Sequence, residues 1–224
     1  FVCLSSGDLC LFGPAVRSSE IFTILNSILN KLETDFAEKG FAFETYILNK
    51  LNSFDGVEAK THKTKRGGED YQYDILMKFD GHIFVIELKN RSLSYGVPQR
   101  IYRYIQRTLG DVRQTQRLES ALGTYPDILD GLFGPGASDL PRHACLTYAT
   151  PYSIPKGVDG VHVYDALALI RFFDKQHLTV TSARKLGTDR LLHEHNVANI
   201  WERERPTADV LLKQMKNPHQ VGLL

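Results

Sequence analysis

The stretch YDILMKFDGHIFVIELK, Tyr73–Lys89, constrains the fold more than any other part of the chain. It reads as two apolar strands around Asp80-Gly81, a dipeptide that accepts the positive φ angles of a two-residue hairpin turn. That turn pairs Phe79 with His82, Leu76 with Val85 and Asp74 with Glu87. Leu76, Ile83 and Val85 then share one face, and Ile75, Met77, Phe84, Ile86 and Leu88 share the other. A hairpin apolar on both faces belongs in the middle of a sheet with helices on either side. Yet Asp74, Glu87 and Lys89 interrupt it at one end, and two carboxylates placed opposite each other cost about 0.2–1 kcal/mol even on an open sheet.

The flanking segments support the same architecture. Ser18 or Ser19 caps a predicted helix to about Lys39, with Ile21, Ile24, Leu25, Ile28, Leu29, Leu32 and Phe36 on one stripe, and Gly40 ends it. A second helix is expected over 42–51, a strand over 56–65 and a loop over 66–70. Pro98 opens a helix to Leu109, and Asp111 caps another to Leu122. A Gly/Pro-rich loop over 131–141 precedes strands at 143–150 and 160–165, a helix at 166–173 and a further strand at 177–185. The tail from Gly187 is polar and irregular up to a short helix at 206–216. This order predicts an α/β fold, a central mixed β-sheet flanked by helices, with N-terminal helical and C-terminal extensions. The expected division is a helical extension over 1–39, a core over 40–175 and a C-terminal extension, packed on the core, over 176–224.

At 224 residues the chain is long enough for one substantial core. Its 27 Lys+Arg nearly cancel its 26 Asp+Glu, so it is not a uniformly basic nucleic-acid coat, and any basic surface must be local. Cys3, Cys10 and Cys145 lack CxxC spacing and cannot all pair, which points to a reducing compartment and away from a disulfide scaffold or Cys-rich zinc site. No apolar run is long enough to span a membrane. The opening Phe1-Val2-Cys3-Leu4, with neither an initiator Met nor a charged leader, reads as a piece of a longer chain, and a cytoplasmic location is expected.

Two readings fit the charges in the hairpin. In one, Lys89 neutralises a carboxylate in a salt bridge and solvent takes the other. In the second, a divalent cation lies between Asp74 and Glu87. Hard oxygen ligands suit Mg²⁺ or Mn²⁺, which take one or two carboxylates together with water and a substrate phosphate. Lys89, two residues beyond Glu87 on the same face, is then placed to act on the attacking water or on charge developing at the phosphate.

Asp74, thirteen residues, then Glu87-Leu88-Lys89 at a strand end resembles the D-x(n)-E-x-K signature of the PD-(D/E)XK, or restriction-endonuclease-like, nuclease superfamily. GFAFETYILNKL (Gly40–Leu51) resembles the superfamily helix that carries a Glu before the first strand, with Glu44 at that position. The resemblance extends over roughly residues 40–173 and includes GVHVYDALALIRFF. It implies a Mg²⁺- or Mn²⁺-dependent deoxyribonuclease, an endonuclease domain of a larger protein, with Asp74 and Glu87 on the metal, Lys89 at the attacking water and Glu44 in support. Tyr73 precedes Asp74 where the pattern often has Pro. Some branches place Q-x-x-x-Y on the following helix; here Gln114 is followed by Leu118 and Gln116 by Ser120, and Gln114, with the bulkier fourth neighbour, is preferred. Two other readings remain open at this point: a catalytically silent module of the same fold that binds nucleic acid or protein, and an RNA-directed nuclease.

Cations are clustered where DNA would need them. Lys60, His62, Lys63, Lys65 and Arg66 precede Gly67-Gly68, and Arg100, Arg103 and Arg107 share one side of the helix from Pro98, with Tyr102 and Tyr104 interleaved. Lys63, Lys65, Arg66, Arg91, Arg103 and Gln114 are the expected nucleic-acid contacts. A homodimer, or docking to the rest of a longer chain, is the other expected partnership. LHEH (Leu192–His195) lacks the spacing of a helical zinc site, no glycine-rich stretch carries the Lys-Ser/Thr of a phosphate loop, and Trp201 is expected either to anchor the tail to the body or to mark a partner surface.

Overall fold

A computed structural model describes residues 2–3, 9–10, 36–90, 98–149, 157–186, 189–202 and 204–217. The expected N-terminal helix therefore falls outside the described residues except for its end. Strands β1 (Val2–Cys3) and β2 (Leu9–Cys10) form a small antiparallel pair. Helix α1 (Phe36–Leu51) leads into β3 (Val57–Arg66), β4 (Glu69–Phe79) and β5 (His82–Lys89). Then follow α2 (Pro98–Thr124), α3 (Asp127–Phe133), β6 (Arg142–Tyr148), β7 (His162–Asp165) and α4 (Ala166–Asp174). The chain continues through β8 (His177–Leu186), β9 (Asp189–Asn199) and α5 (Ala208–Lys216).

The molecule is α/β, built on a five-stranded mixed sheet in the order β3-β4-β5-β6-β7. The first three strands are antiparallel, and β6 and β7 run parallel to β5. Helices α1, α4 and α5 cover one face, where Ile47, Leu51, Leu169, Phe172, Leu211 and Met215 pack against Ile75, Met77, Phe84 and Ile86. Helices α2 and α3 cover the other, where Leu118, Leu122, Leu129 and Phe133 meet Leu76, Ile83 and Val85. The division of hairpin side chains between the faces is the expected one. Among the described residues no helix is long and apolar enough to cross a membrane.

The central hairpin has the predicted register from Phe79↔His82 to Ile75↔Ile86. Its turn places Asp80 at φ 47° and Gly81 at φ 75°, the positive pair that matches strand twist. The expected loop at 66–70 shrinks to Gly67-Gly68, φ 59° and 85°, and a Cβ on Gly67 would meet Tyr125 Oη at 2.9 Å.

Two glycines expected to end or separate helices do not. Helix α1 runs through Gly40, and α2 runs through Gly110 and Asp111. A helical Gly costs about 1 kcal/mol relative to Ala, less than the burial of one or two large side chains further along. Asp111 is accordingly no cap: it is buried, and Tyr148 Oη donates to its Oδ2 at 3.3 Å. The tail is more ordered than its composition suggests. β9 pairs with β8 in a long ribbon, α5 joins the main core, and Asp80 Oδ2 accepts from Ala208 N at 2.9 Å. Trp201 Nε1 donates to Phe172 O at 2.8 Å, the anchor expected of it.

Candidate metal-dependent active site

Strand β5 ends at the C-terminal edge of the parallel strands, with Lys89 beside Tyr148 of β6. That edge is where open α/β sheets bind ligands. Asp74 lies opposite this end of β5, and its placement depends on an irregularity the sequence does not disclose. Pairing of β3 with β4 runs Val57↔Phe79 to Lys60↔Leu76, then resumes at His62↔Tyr73. Thr61 thus faces two residues of β4, Asp74 and Ile75. Such a bulge interrupts the ladder, bends the strand and re-aims side chains, and it is a frequent neighbour of active sites. Here the ladder between β4 and β5 stops at Ile75↔Ile86, and the Asp74 carboxylate takes over, Oδ2 accepting from Leu88 N at 2.9 Å.

Glu87 is 2% exposed and Asp74 8% exposed. Lys89 Nζ lies 2.5 Å from Glu87 Oε1, so the expected salt bridge is present. Gln114 Nε2 also donates to Glu87 Oε1, at 2.8 Å, and Lys89 Nζ reaches Gln114 Oε1 at 3.4 Å. This ion pair satisfies one oxygen of Glu87 only. Oε2 is buried without a hydrogen-bond partner among the described residues. Burial, reinforced by the Asp74 charge, pushes the Glu87 carboxyl up to about 7 despite Lys89. Burial also raises Asp74, against the Leu88 hydrogen bond and Lys89. Glu44, half-buried on α1, is raised first by burial and then by Asp74, with Lys89 opposing, which places it within electrostatic reach of the same cluster.

Two buried carboxyls that resist ionisation, one with an oxygen lacking a partner, form a site whose charge is incomplete. A divalent cation fits it: hard oxygen donors, and an oxygen with nothing else to bind. Among the described residues no three His, Cys, Asp or Glu side chains converge as an all-protein cage. Asp74 and Glu87 alone would therefore have to hold such an ion, as Mg²⁺ sites with one or two carboxylates do.

The remaining expected residues divide by position. Gln114 is at the cluster, whereas Gln116 turns away and donates to Asp159 O at 2.7 Å. Lys63 and Lys65 are exposed on edge strand β3, Arg66 pairs with Asp127 at 2.5 Å, and Lys60 is bound to Glu58 and to Leu132 O. Arg103 is exposed on α2, and Arg91 lies outside the described residues. Of the two interleaved tyrosines only Tyr102, 63% exposed, faces solvent; Tyr104 packs its ring against Tyr148. Sequence reasoning missed the polar network behind the site, in which Tyr148 Oη contacts both Thr108 Oγ1 and Asp111 Oδ2 at 3.3 Å. Asp111 further raises Glu87. Its signal was its spacing, one helical turn before Gln114.

No protein-family model matches the chain, and no curated protein sequence matches it. A distant structural neighbour is the small subunit of the heterodimeric restriction endonuclease R.BspD6I. It has a TM-score of 0.33 and 13% identity, covering 67% of this chain and 77% of that one.

Proposed function

We propose that this chain is a metal-dependent nuclease of the PD-(D/E)XK kind that hydrolyses phosphodiester bonds in DNA. The observation that carries the reading is the buried Glu87, its Oε2 without a partner among the described residues, beside a second buried carboxyl at Asp74. Asp74 and Glu87 would hold Mg²⁺ or Mn²⁺, and the ion would supply positive charge to the phosphate under attack. Lys89, fixed by Glu87 Oε1 and Gln114, presents a cation to the attacking water and to the phosphate oxygens. Water adds to phosphorus and gives up a proton to solvent, the bond to the leaving oxygen breaks, and that oxygen takes up a proton. Glu44 supports the cluster from α1, and Gln114 holds Glu87 and Lys89 in place.

The test is cleavage of supercoiled plasmid, linear duplex, single-stranded DNA and RNA in Mg²⁺, Mn²⁺ or EDTA, with folded Asp74→Asn and Lys89→Ala variants alongside. Metal-dependent DNA cleavage lost in both variants is the expected result. Full activity in Asp74→Asn removes this site from the reaction, and cleavage of RNA alone replaces the substrate.

A further inference from the structure

The bulge at Asp74–Ile75 also reverses which side of β4 faces which layer. On the hairpin side of it, odd-numbered Ile75 and Met77 pack beneath α1 and α4. Beyond it, Tyr71 and Tyr73 pack in the opposite layer with Leu118 and Leu122 of α2. Tyr73 Oη donates to Leu118 O at 3.3 Å, and Tyr71 lies edge-on to Tyr125. The far arm of β3–β4 is therefore covered on one side by α2 and α3. Its other side, which continues the face covered by α1 near the turn at Asp80-Gly81, is bare among the described residues: Thr61, Lys63, Lys65, Asp70 and Gln72 are all exposed.

This geometry separates cations that are neighbours in sequence. Lys63 pairs across the strands with Gln72, and Lys65 with Asp70, so both stand on the bare side. Lys60, paired with Leu76, and Arg66, paired with Glu69, stand on the covered side. There Lys60 lies over the Phe133 ring at 5.2 Å and Arg66 is held by Asp127. Strand residues two apart are separated by about 7 Å. Lys63 is then about 7 Å, and Lys65 about 13 Å, along the arm from the level of Asp74.

Resting on the nuclease reading, we infer that the bare face of the β3–β4 arm is the track along which the DNA backbone leaves the cleavage site, with Lys63 and Lys65 each meeting one phosphate. Such contacts are independent of base sequence and position the strand at Asp74. Lys60 and Arg66 take no part in the track.

The test is the salt dependence of binding to a short fluorescent DNA duplex, read by anisotropy in EDTA so that nothing is cut. Each phosphate contact contributes about 0.9 to the slope of log K against log salt. Lys63→Gln and Lys65→Gln each lower the slope by about 0.9, and the double variant by about 2. Arg66→Gln leaves it at the wild-type value. An unchanged slope in the double variant, an equal loss in Arg66→Gln, or a loss seen with an RNA duplex but not with DNA overturns the inference, as does a wild type that does not bind DNA. Cleavage is read separately: the predicted slopes with a duplex that Mg²⁺ does not cause to be cut leave the track standing and remove the nuclease reading.

Discussion

Strand β5 carries a polar cluster at each end, and the two are built differently. At its start His82 Nδ1 is hydrogen-bonded to His143 Nε2 at 2.9 Å, the two rings are stacked, and His162 lies beyond. Burial, with help from His82 and His162, pulls the His143 imidazole down to about 4, and burial lowers His162 too. His82 and His143 supply each other's hydrogen-bond partner. At the far end, Asp74, Glu87 and Glu44 are all raised by burial, and Glu87 Oε2 has no partner among the described residues. The rings at one end are partnered as folded; under the reading proposed above, a cation would complete the other end. Both ends are polar and partly buried, so polarity alone does not identify the site; unmet bonding capacity does.

The largest effect that sharpens this contrast is on cleavage. Asp74→Asn and Lys89→Ala are expected to lose about 100-fold or more, the scale of removing one electrostatic stabiliser. His143→Leu, at the other end, is expected to stay within about 3-fold of wild type, since a 1 Å displacement is what costs catalysis and this change is remote. Parallel plasmid assays in Mg²⁺ check both.

The next effect is the pH dependence of stability. Glu87 is raised from 4.5 to about 7 in the folded protein. Its contribution is therefore fully present below 4.5 and is lost as pH rises through 7, roughly 3 kcal/mol in the metal-free protein. His143 has the opposite sign: depressed from 6.5 to about 4, its contribution is present above 6.5 and is lost as pH falls through 4. Urea unfolding in EDTA across this range should show a slope from the carboxylate end that disappears in Glu87→Gln, and an acid loss that diminishes in His143→Leu. Identical pH profiles in all three proteins would break the contrast.

Smaller again is the effect of removing charge at the site. In EDTA at pH 8, Asp74→Asn should raise Tm by about 2–4 °C, the scale of 1 kcal/mol in a chain of this size. Mg²⁺ should raise Tm of the wild type but not of the variant. The smallest effect lies away from both clusters: Trp201→Phe loses the bond to Phe172 O, about 1 kcal/mol, and leaves cleavage unchanged.

What the sequence disclosed was local. Asp80-Gly81 sets its own turn, so the hairpin register and the two apolar faces could be read directly, but the expected pairing of Asp74 with Glu87 is absent: the ladder stops at Ile75↔Ile86, and Asp74 instead accepts from Leu88 N. The helix end expected at Gly40 and the break expected between Leu109 and Asp111 do not form, because a glycine stops a helix only where continued packing does not outweigh it. Ile47 and Leu51 beyond the first, and Leu118 and Leu122 beyond the second, are buried. Asp111 has the composition of a cap, and its partner Tyr148 is distant in the chain. The bulge at Asp74 was hidden for the same reason, since it exists only in the pairing with β3. DRLLHEHNVAN has no clean apolar alternation, and it becomes β9 through its pairing with β8.

The most direct test of the account is calorimetric titration of the metal-free protein with Mn²⁺ at pH 7, in buffers of different ionisation enthalpy. A cation bound by Asp74 and Glu87 would displace the fraction of a proton that the raised Glu87 carboxyl holds at this pH. The account predicts binding with proton release in the wild type, and loss of that binding in folded Asp74→Asn. Equal binding by both proteins, or none by either, would contradict it.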